Sequence, residues 1–115
     1  MKKPGQIVLL RFPHTDLEPG KLRPVLLLAK LPGEYDDWLV CMISSRVERH
    51  LPGFDELVGT GDPDFERSGL KVASVIRIGR LAVVGEEVLV GAIGEVSPER
   101  LRRIKQRLAD WLTQE

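Results

Sequence analysis

The chain is poor in the residue types on which most metal, redox and disulfide chemistry depends. It contains one cysteine, Cys41, and two histidines, His14 and His50. A single cysteine excludes an internal disulfide and a cysteine-based metal site, and two isolated histidines form no ligand cluster. Cys41 lies in an apolar run, so we interpret it as a small buried hydrophobe rather than a nucleophile. The sequence therefore predicts neither a metal nor any other cofactor.

Long hydrophobic runs and a net charge are also missing. The apolar run at 7–10 is too short for a signal-peptide core, and no stretch approaches transmembrane length, so we expect a soluble, cytoplasmic protein without membrane association. The 17 basic and 17 acidic residues cancel, which argues against nonspecific coating of nucleic acid but leaves room for a local basic patch. Residues 1–30 are mainly basic and residues 48–67 mainly acidic, which predicts a basic face and an acidic loop.

The chain does contain a series of short β-prone segments separated by proline and glycine turns. From β-branched and aromatic content we predict strands at 6–12, 23–30, 38–44, 70–78, 80–84 and 88–93, with a shorter one around 54–58. Gly85, Glu86 and Glu87 predict a hairpin between the last two strands. Trp38, at the start of the third strand, is assigned equally to the core or to a dimer interface.

Ser97 and Pro98 predict the start of a C-terminal helix, because serine is a good N-cap and proline suits the first helical position. An apolar stripe at helical spacing ends at Trp111, which we interpret as core, and Leu112. We assign the basic residues between to a mostly solvated face, with RNA contact as the alternative. The predicted strands and helix together indicate one domain over 1–115 of mainly β (α+β) class. We expect a small curled antiparallel sheet or SH3-like barrel with a C-terminal α-helix.

The most informative single residue is Arg23, which lies where a loop enters the second strand. An arginine at such a position can present its planar guanidinium to a phosphate. The alternative is an ordinary surface or salt-bridging arginine. From the residues alone, the interpretation ends at a small β domain with one basic loop.

Several stretches, taken together and in order, resemble the MazF/PemK family of toxins. They are GQIVLLRFPHTD at 5–16, KLRP at 21–24, VCMISSR at 40–46 and DPDFERSGLKVASVIR at 62–77, followed by the closing strand and helix at 88–112. Each stretch is weak by itself, but the ordered set is specific and covers essentially the whole chain.

The resemblance implies a barrel-like homodimer that acts as an endoribonuclease toxin and pairs with a cognate antitoxin. Such proteins cut single-stranded RNA at short motifs without a metal, leaving a 2′,3′-cyclic phosphate and a 5′-hydroxyl. By motif position, the catalytic residues implied are Arg23 and Ser44, with Ser45 as the neighbouring candidate hydroxyl. The residues assigned to substrate binding are His14, Thr15, Asp16, Lys21, Ser45 and Arg46.

The sequence departs from the family pattern at three positions. Family members often have an acidic residue where Gln6 stands, phenylalanine where His14 stands and threonine where Ser44 stands. His14 is either a general base near neutral pH or a polar loop residue in an aromatic position.

Two alternative functions stay open at this point. The same barrel serves a non-enzymatic toxin that binds a protein target such as DNA gyrase. A decayed toxin would retain only dimerisation and antitoxin binding.

Overall fold

The strands of the sheet follow the apolar segments of the sequence. The computed structural model describes residues 2–11 and 21–114. Its strands are β1 Gln6–Arg11, β2 Leu22–Lys30, β3 Asp37–Ser44, β4 Glu56–Val58, β5 Ser74–Gly85 and β6 Leu89–Glu95. Its α-helices are α1 Phe65–Ser68 and α2 Pro98–Thr113, and short 3₁₀ helices lie at Val47–Arg49 and Glu86–Val88.

Within the described ranges, these six strands form one antiparallel sheet in the order β4-β5-β3-β2-β1-β6. The two edge strands, β4 and β6, do not pair with each other in the part of the chain described. The sheet nevertheless curls, because α1, which follows β4 in sequence, packs against β6 at the opposite edge. The prediction of a curled antiparallel sheet with a C-terminal helix is confirmed, and the curl stops short of a closed barrel.

The predicted hairpin at Gly85, Glu86 and Glu87 is wrong. β5 is a single 12-residue strand that pairs with β3 and β4, where the sequence predicted two strands at 70–78 and 80–84. After Gly85 the 3₁₀ helix Glu86–Val88 redirects the chain, and β6 pairs with β1 instead of β5. In this way β6 covers hydrogen-bonding groups of β1 that would otherwise form a free edge.

Both faces of the central strands are buried, which explains why β2 and β3 are apolar almost throughout. Alternate residues point to opposite faces of a strand. Leu26 and Cys41 lie in the cluster that packs against α2 through Ile104 and Leu108. The other face carries a second cluster, which consists of Val8, Leu10, Val25, Leu27, Trp38, Val40 and Leu89.

The aromatic and thiol side chains settle three sequence interpretations. Trp38 is buried in the second cluster and donates from its indole Nε1 to Asp36 Oδ1 at 3.0 Å, so it belongs to the core. The interpretation of Trp111 as core is wrong, since Trp111 is 43% exposed and touches Phe54 only edge-on. Cys41 is fully buried, as predicted, and burial raises the pKa of its thiol to about 12.

A buried arginine on α2 joins the helix to the acidic segment, residues 48–67, that the sequence predicts as a loop. Ser97 caps the helix as predicted, accepting from the backbone N–H of Arg100 at 3.1 Å. The guanidinium of Arg100 donates to Asp64 Oδ2 at 2.8 Å and to Glu56 Oε1 at 3.0 Å. It also donates to Asp62 Oδ2 at 2.9 Å and to the carbonyl oxygen of Leu57 at 2.7 Å.

Two further helix arginines reach the same acidic segment. Arg103 and Arg107 lie 3.0 and 2.7 Å from the carboxylate of Glu56, which is itself buried. The expectation of a mostly solvated basic face is therefore wrong for Arg100, which is buried, and for Arg107, which is half-buried, whereas Arg103 is exposed although it pairs with Glu56. In the predicted acidic loop, the carboxylates of Glu56, Asp62 and Asp64 face the helix. No helix within residues 2–11 and 21–114 is long and apolar enough to cross a membrane.

Replacing Arg100 by methionine should lower the free energy of unfolding by about 3–5 kcal/mol, because three carboxylates would remain together without their shared cation. Urea denaturation measures the change. The matched control is Arg102→Met, at an exposed position of the same helix, which should alter stability by less than about 0.5 kcal/mol. Equal unfolding midpoints for the two variants would contradict this role for Arg100.

Stability should fall in acid through Asp64. The hydrogen bond from Arg100 lowers the pKa of Asp64 from 3.8 to about 2, against the opposing effect of burial. Because the folded-state pKa is the lower one, the contribution of Asp64 is complete above about pH 5 and is lost as the pH falls towards 2, a difference of about 2 kcal/mol. Urea midpoints measured across this range should fall more steeply for the wild type than for Asp64→Asn. Parallel curves would exclude Asp64 as the titrating group.

Candidate functional site

The structure brings Arg23 and Ser44 together at the ends of neighbouring strands. The pairing of β2 with β3 ends with Val25 opposite Met42, and Arg23 and Ser44 lie two residues beyond this pair on their respective strands. Both residues line the same two cavities. Arg23 is exposed and Ser44 half-buried. No described residue forms an ion pair with the Arg23 guanidinium, so it remains available to an anion.

The hydroxyl of Ser44 is oriented by the turn that follows β3. Its Oγ accepts from the backbone N–H of Arg46 at 3.0 Å. This leaves the O–H itself to donate. The backbone of Arg46 therefore fixes the direction of the Ser44 hydroxyl, while the Arg46 side chain is exposed.

The other residues predicted to bind substrate are less closely grouped. Ser45 is exposed and lines the larger of the two cavities. Lys21 is exposed beside the start of β2 and lines neither cavity. His14, Thr15 and Asp16 lie outside the described residues.

The larger cavity, about 450 Å³, is mainly apolar. Its volume falls within the range of small-molecule sites. Besides Arg23, Ser44 and Ser45, its walls consist of Leu9, Leu22, Pro24, Ile43, Gly69, Leu70, Lys71, Val72, Ser74 and Ile93. Gly69 has a φ of +77°, and a Cβ at this position would lie 2.1 Å from the carbonyl oxygen of Ile93. Only glycine therefore allows this wall to approach β6 so closely.

The smaller cavity, about 280 Å³, is rich in arginine. It is lined by Arg23, Met42, Ile43, Ser44, Arg49, Arg77 and Arg80. Arg77 lies on β5 opposite Met42 of β3, and Arg49 belongs to the 3₁₀ helix Val47–Arg49. The sequence interpretation missed Arg49, Arg77 and Arg80, because only the pairing of β5 with β3 and the turn after β3 bring them beside Arg23.

This arrangement suits an anionic phosphoryl group. Guanidinium groups bind phosphate oxygens through two parallel hydrogen bonds, and a hydroxyl adds a further donor. Within the described ranges, no group of three or more histidine, cysteine or acidic side chains is placed to hold a metal ion. The polar side chains that line the two cavities are all cationic or hydroxyl-bearing: Arg23, Arg49, Arg77, Arg80, Lys71, Ser44, Ser45 and Ser74.

The family model of the PemK-like, MazF-like toxins of type II toxin–antitoxin systems matches residues 3–112. The chain belongs to this family. The resemblance carried by the sequence stretches at 5–16, 21–24, 40–46 and 62–77 is therefore confirmed. Among curated proteins, none matches the chain.

Solved structures share the fold of this chain at low sequence identity. The Mycobacterium tuberculosis toxin MazF-mt6 is 18% identical with a TM-score of 0.69, over 96% of this chain and 98% of that one. The MazE-MazF structure from Deinococcus radiodurans is 18% identical with a TM-score of 0.70, and the match covers 99% of this chain and 97% of that one. A mycobacterial endoribonuclease in complex with its cognate antitoxin is 18% identical with a TM-score of 0.67, and the match covers 100% of this chain and 98% of that one. The three structures thus resemble this chain over at least 96% of its length.

Arg23→Ala should change the free energy of unfolding by less than about 0.5 kcal/mol, because the Arg23 side chain is exposed and forms no ion pair with the described residues. Urea denaturation of Arg23→Ala beside the wild type provides the measurement. A loss comparable with that of Arg100→Met would show that Arg23 supports the fold, contrary to its assignment to the site.

Proposed function

We propose that this chain is a metal-independent endoribonuclease toxin that cleaves single-stranded RNA at short sequence motifs and pairs with a cognate antitoxin. The observation that supports the proposal is that Arg23 and Ser44, whose hydroxyl is oriented by the backbone of Arg46, line both an apolar and an arginine-rich cavity. This pair is set in a chain of the MazF-like family. The proposed catalytic residues are Arg23 and Ser44.

The chemistry proposed is transesterification within the RNA. The 2′-hydroxyl oxygen attacks the neighbouring phosphorus, the bond from phosphorus to the 5′-oxygen breaks, and a 2′,3′-cyclic phosphate and a 5′-hydroxyl result. One proton leaves the 2′-hydroxyl and one reaches the departing 5′-oxygen. Negative charge builds up on the non-bridging oxygens in between, where fixed donors stabilise the transition state most.

In this reaction Arg23 acts as a charge stabiliser. Its guanidinium keeps its proton, since arginine has a pKa above about 12, and it is therefore poorly suited to carry protons. Ser44 adds one hydrogen bond to the same oxygens through the O–H that the turn leaves free. His14 is our candidate for the base. The reaction requires a 2′-hydroxyl, which excludes DNA as a substrate.

The proposed partner is a cognate antitoxin that blocks the site. The mycobacterial relative is described as an endoribonuclease in complex with its cognate antitoxin, and the Deinococcus relative as MazE-MazF. The arginine-lined cavity beside Ser44 would attract an acidic antitoxin segment.

We further propose that the toxin is a cytoplasmic homodimer.

Purified protein should cleave a long mixed-sequence RNA in the presence of EDTA, and mapping of 5′-hydroxyl ends should reveal a short motif. Arg23→Ala should lower the rate at least about 100-fold, because it removes the main donor to the developing charge. Ser44→Ala should also be slower, whereas Ser44→Thr, which keeps the hydroxyl, should stay active. Arg102→Ala is the control and should cleave like the wild type.

A folded protein that leaves this RNA intact would contradict the proposal. If expression of that protein still arrested growth, and Arg23→Ala abolished the arrest, the alternative function of a non-enzymatic toxin that binds a protein target would replace the proposed one. If growth continued, the decayed toxin would be the better description.

A further inference from the structure

Arg77 is the most constrained arginine of the smaller cavity. Its Nε lies 3.3 Å from Asp55 Oδ2, and its side chain is 21% exposed. Asp55 is buried and is itself fixed, because its carboxylate accepts from the backbone N–H of Leu51 at 3.0 Å and of Ile78 at 3.1 Å. The carboxylate thus holds the Nε edge of the guanidinium. No described residue accepts a hydrogen bond from its Nη nitrogens, so the outer edge is free to bind a ligand.

A bulge in β5 adds Arg80 to the same cavity. The β3–β5 register passes from Met42↔Arg77 to Cys41↔Leu81, so residues 78–80 form an insertion in β5. Bulges beside functional sites commonly redirect a side chain in this way. Arg80 is exposed and lines the cavity together with Arg49. The cavity lining within the described ranges contains four arginines and no acidic side chain.

The two cavities meet at Arg23 and Ser44, which line both of them. On the proposed function, the scissile phosphate lies at this boundary. A single RNA strand then has to place its neighbouring groups on either side. The arginine-rich cavity suits the next phosphate, whereas the mainly apolar cavity suits a base, which has apolar faces.

We propose that the arginine-rich cavity is a second phosphate subsite, in which Arg77, with Arg80 and Arg49, binds the phosphate next to the scissile one. The inference rests on the proposed endoribonuclease function and specifies its substrate as RNA with at least two consecutive phosphates in the site. Asp55 is the positioning residue, because it acts through Arg77. The ligand chemistry is that of a phosphodiester held by two or more guanidinium groups.

Binding of an RNA that resists cleavage tests this directly. The probe is a fluorescein-labelled, fully 2′-O-methylated RNA that carries the cleavage motif or, where no cleavage occurs, a set of mixed sequences. Fluorescence anisotropy is measured over a range of salt concentrations. Arg77→Ala should bind roughly tenfold more weakly, and the slope of log K against log salt should be shallower by about 0.7 for one lost phosphate contact. Arg102→Ala is the matched control and should bind like the wild type.

A second measurement assigns the contact to one phosphate. Each phosphate of the probe is replaced in turn by a neutral methylphosphonate. The wild type should lose affinity at two adjacent linkages. Arg77→Ala should be insensitive at one of these linkages, and Arg23→Ala at the other. If Arg77→Ala does not fold, Arg80→Ala, at an exposed position, takes its place in the same comparison.

The outcomes separate this inference from the proposed function. If Arg77→Ala loses affinity at the same methylphosphonate positions as the wild type, the subsite is overturned, even if RNA is cleaved. If Arg77→Ala is insensitive at one linkage as expected, but unmodified RNA is not cleaved, the result supports the subsite and overturns the endoribonuclease function. A wild type that binds an acidic peptide but no RNA probe also overturns the subsite and indicates a protein-binding surface.

Discussion

One buried guanidinium joins parts of this chain that the sheet hydrogen bonds do not connect. Arg100 of α2 binds carboxylates from β4, from the following loop and from the residue before α1. Asp64 also accepts from the backbone N–H of Ser97, so the start of α2 is held as well. Burying so many charges is unfavourable unless each is paired and hydrogen-bonded, and here every group finds a partner. The segment from 56 to 64 is thereby fixed against the helix.

The same acidic segment also serves the proposed site. Asp55, the residue just before the stretch from 56 to 64, pairs with Arg77. The chain that continues beyond α1 supplies Gly69, Leu70 and Val72 to the wall of the apolar cavity. Arginines thus occupy two different electrostatic environments. Arg100 is surrounded by carboxylates, whereas Arg23 meets none among the described residues. This division explains how a chain of zero net charge can present a strongly basic cavity.

The features that could be predicted from the sequence are those with local causes. The bounds of β1, β2 and β3 follow from apolar runs between turns, and the start of α2 follows from Ser97 and Pro98. The pairing of β6 with β1 depends on which distant edge is available, which no local signal near Gly85 records. Helical periodicity likewise shows which face of α2 meets the core, but not that Glu56 lies beside it. Arg23 stands out from its position at a strand start, Ser44 follows from the family resemblance, and Arg77 and Arg80 become visible only in the pairing of β5 with β3.

On the proposed function, the placement of the site residues separates the chemistry from the recognition of RNA sequence. Arg23, Ser44 and Arg77 lie on β2, β3 and β5, which are neighbours in the sheet, so backbone hydrogen bonds fix their spacing. One wall of the apolar cavity, Gly69 to Val72, lies on the segment that connects α1 to β5. Connecting segments tolerate changes that strands do not. If the chain cleaves RNA as proposed, its base preference can change through this wall while Arg23, Ser44 and Arg77 stay in place, because the wall and these three residues belong to different parts of the fold.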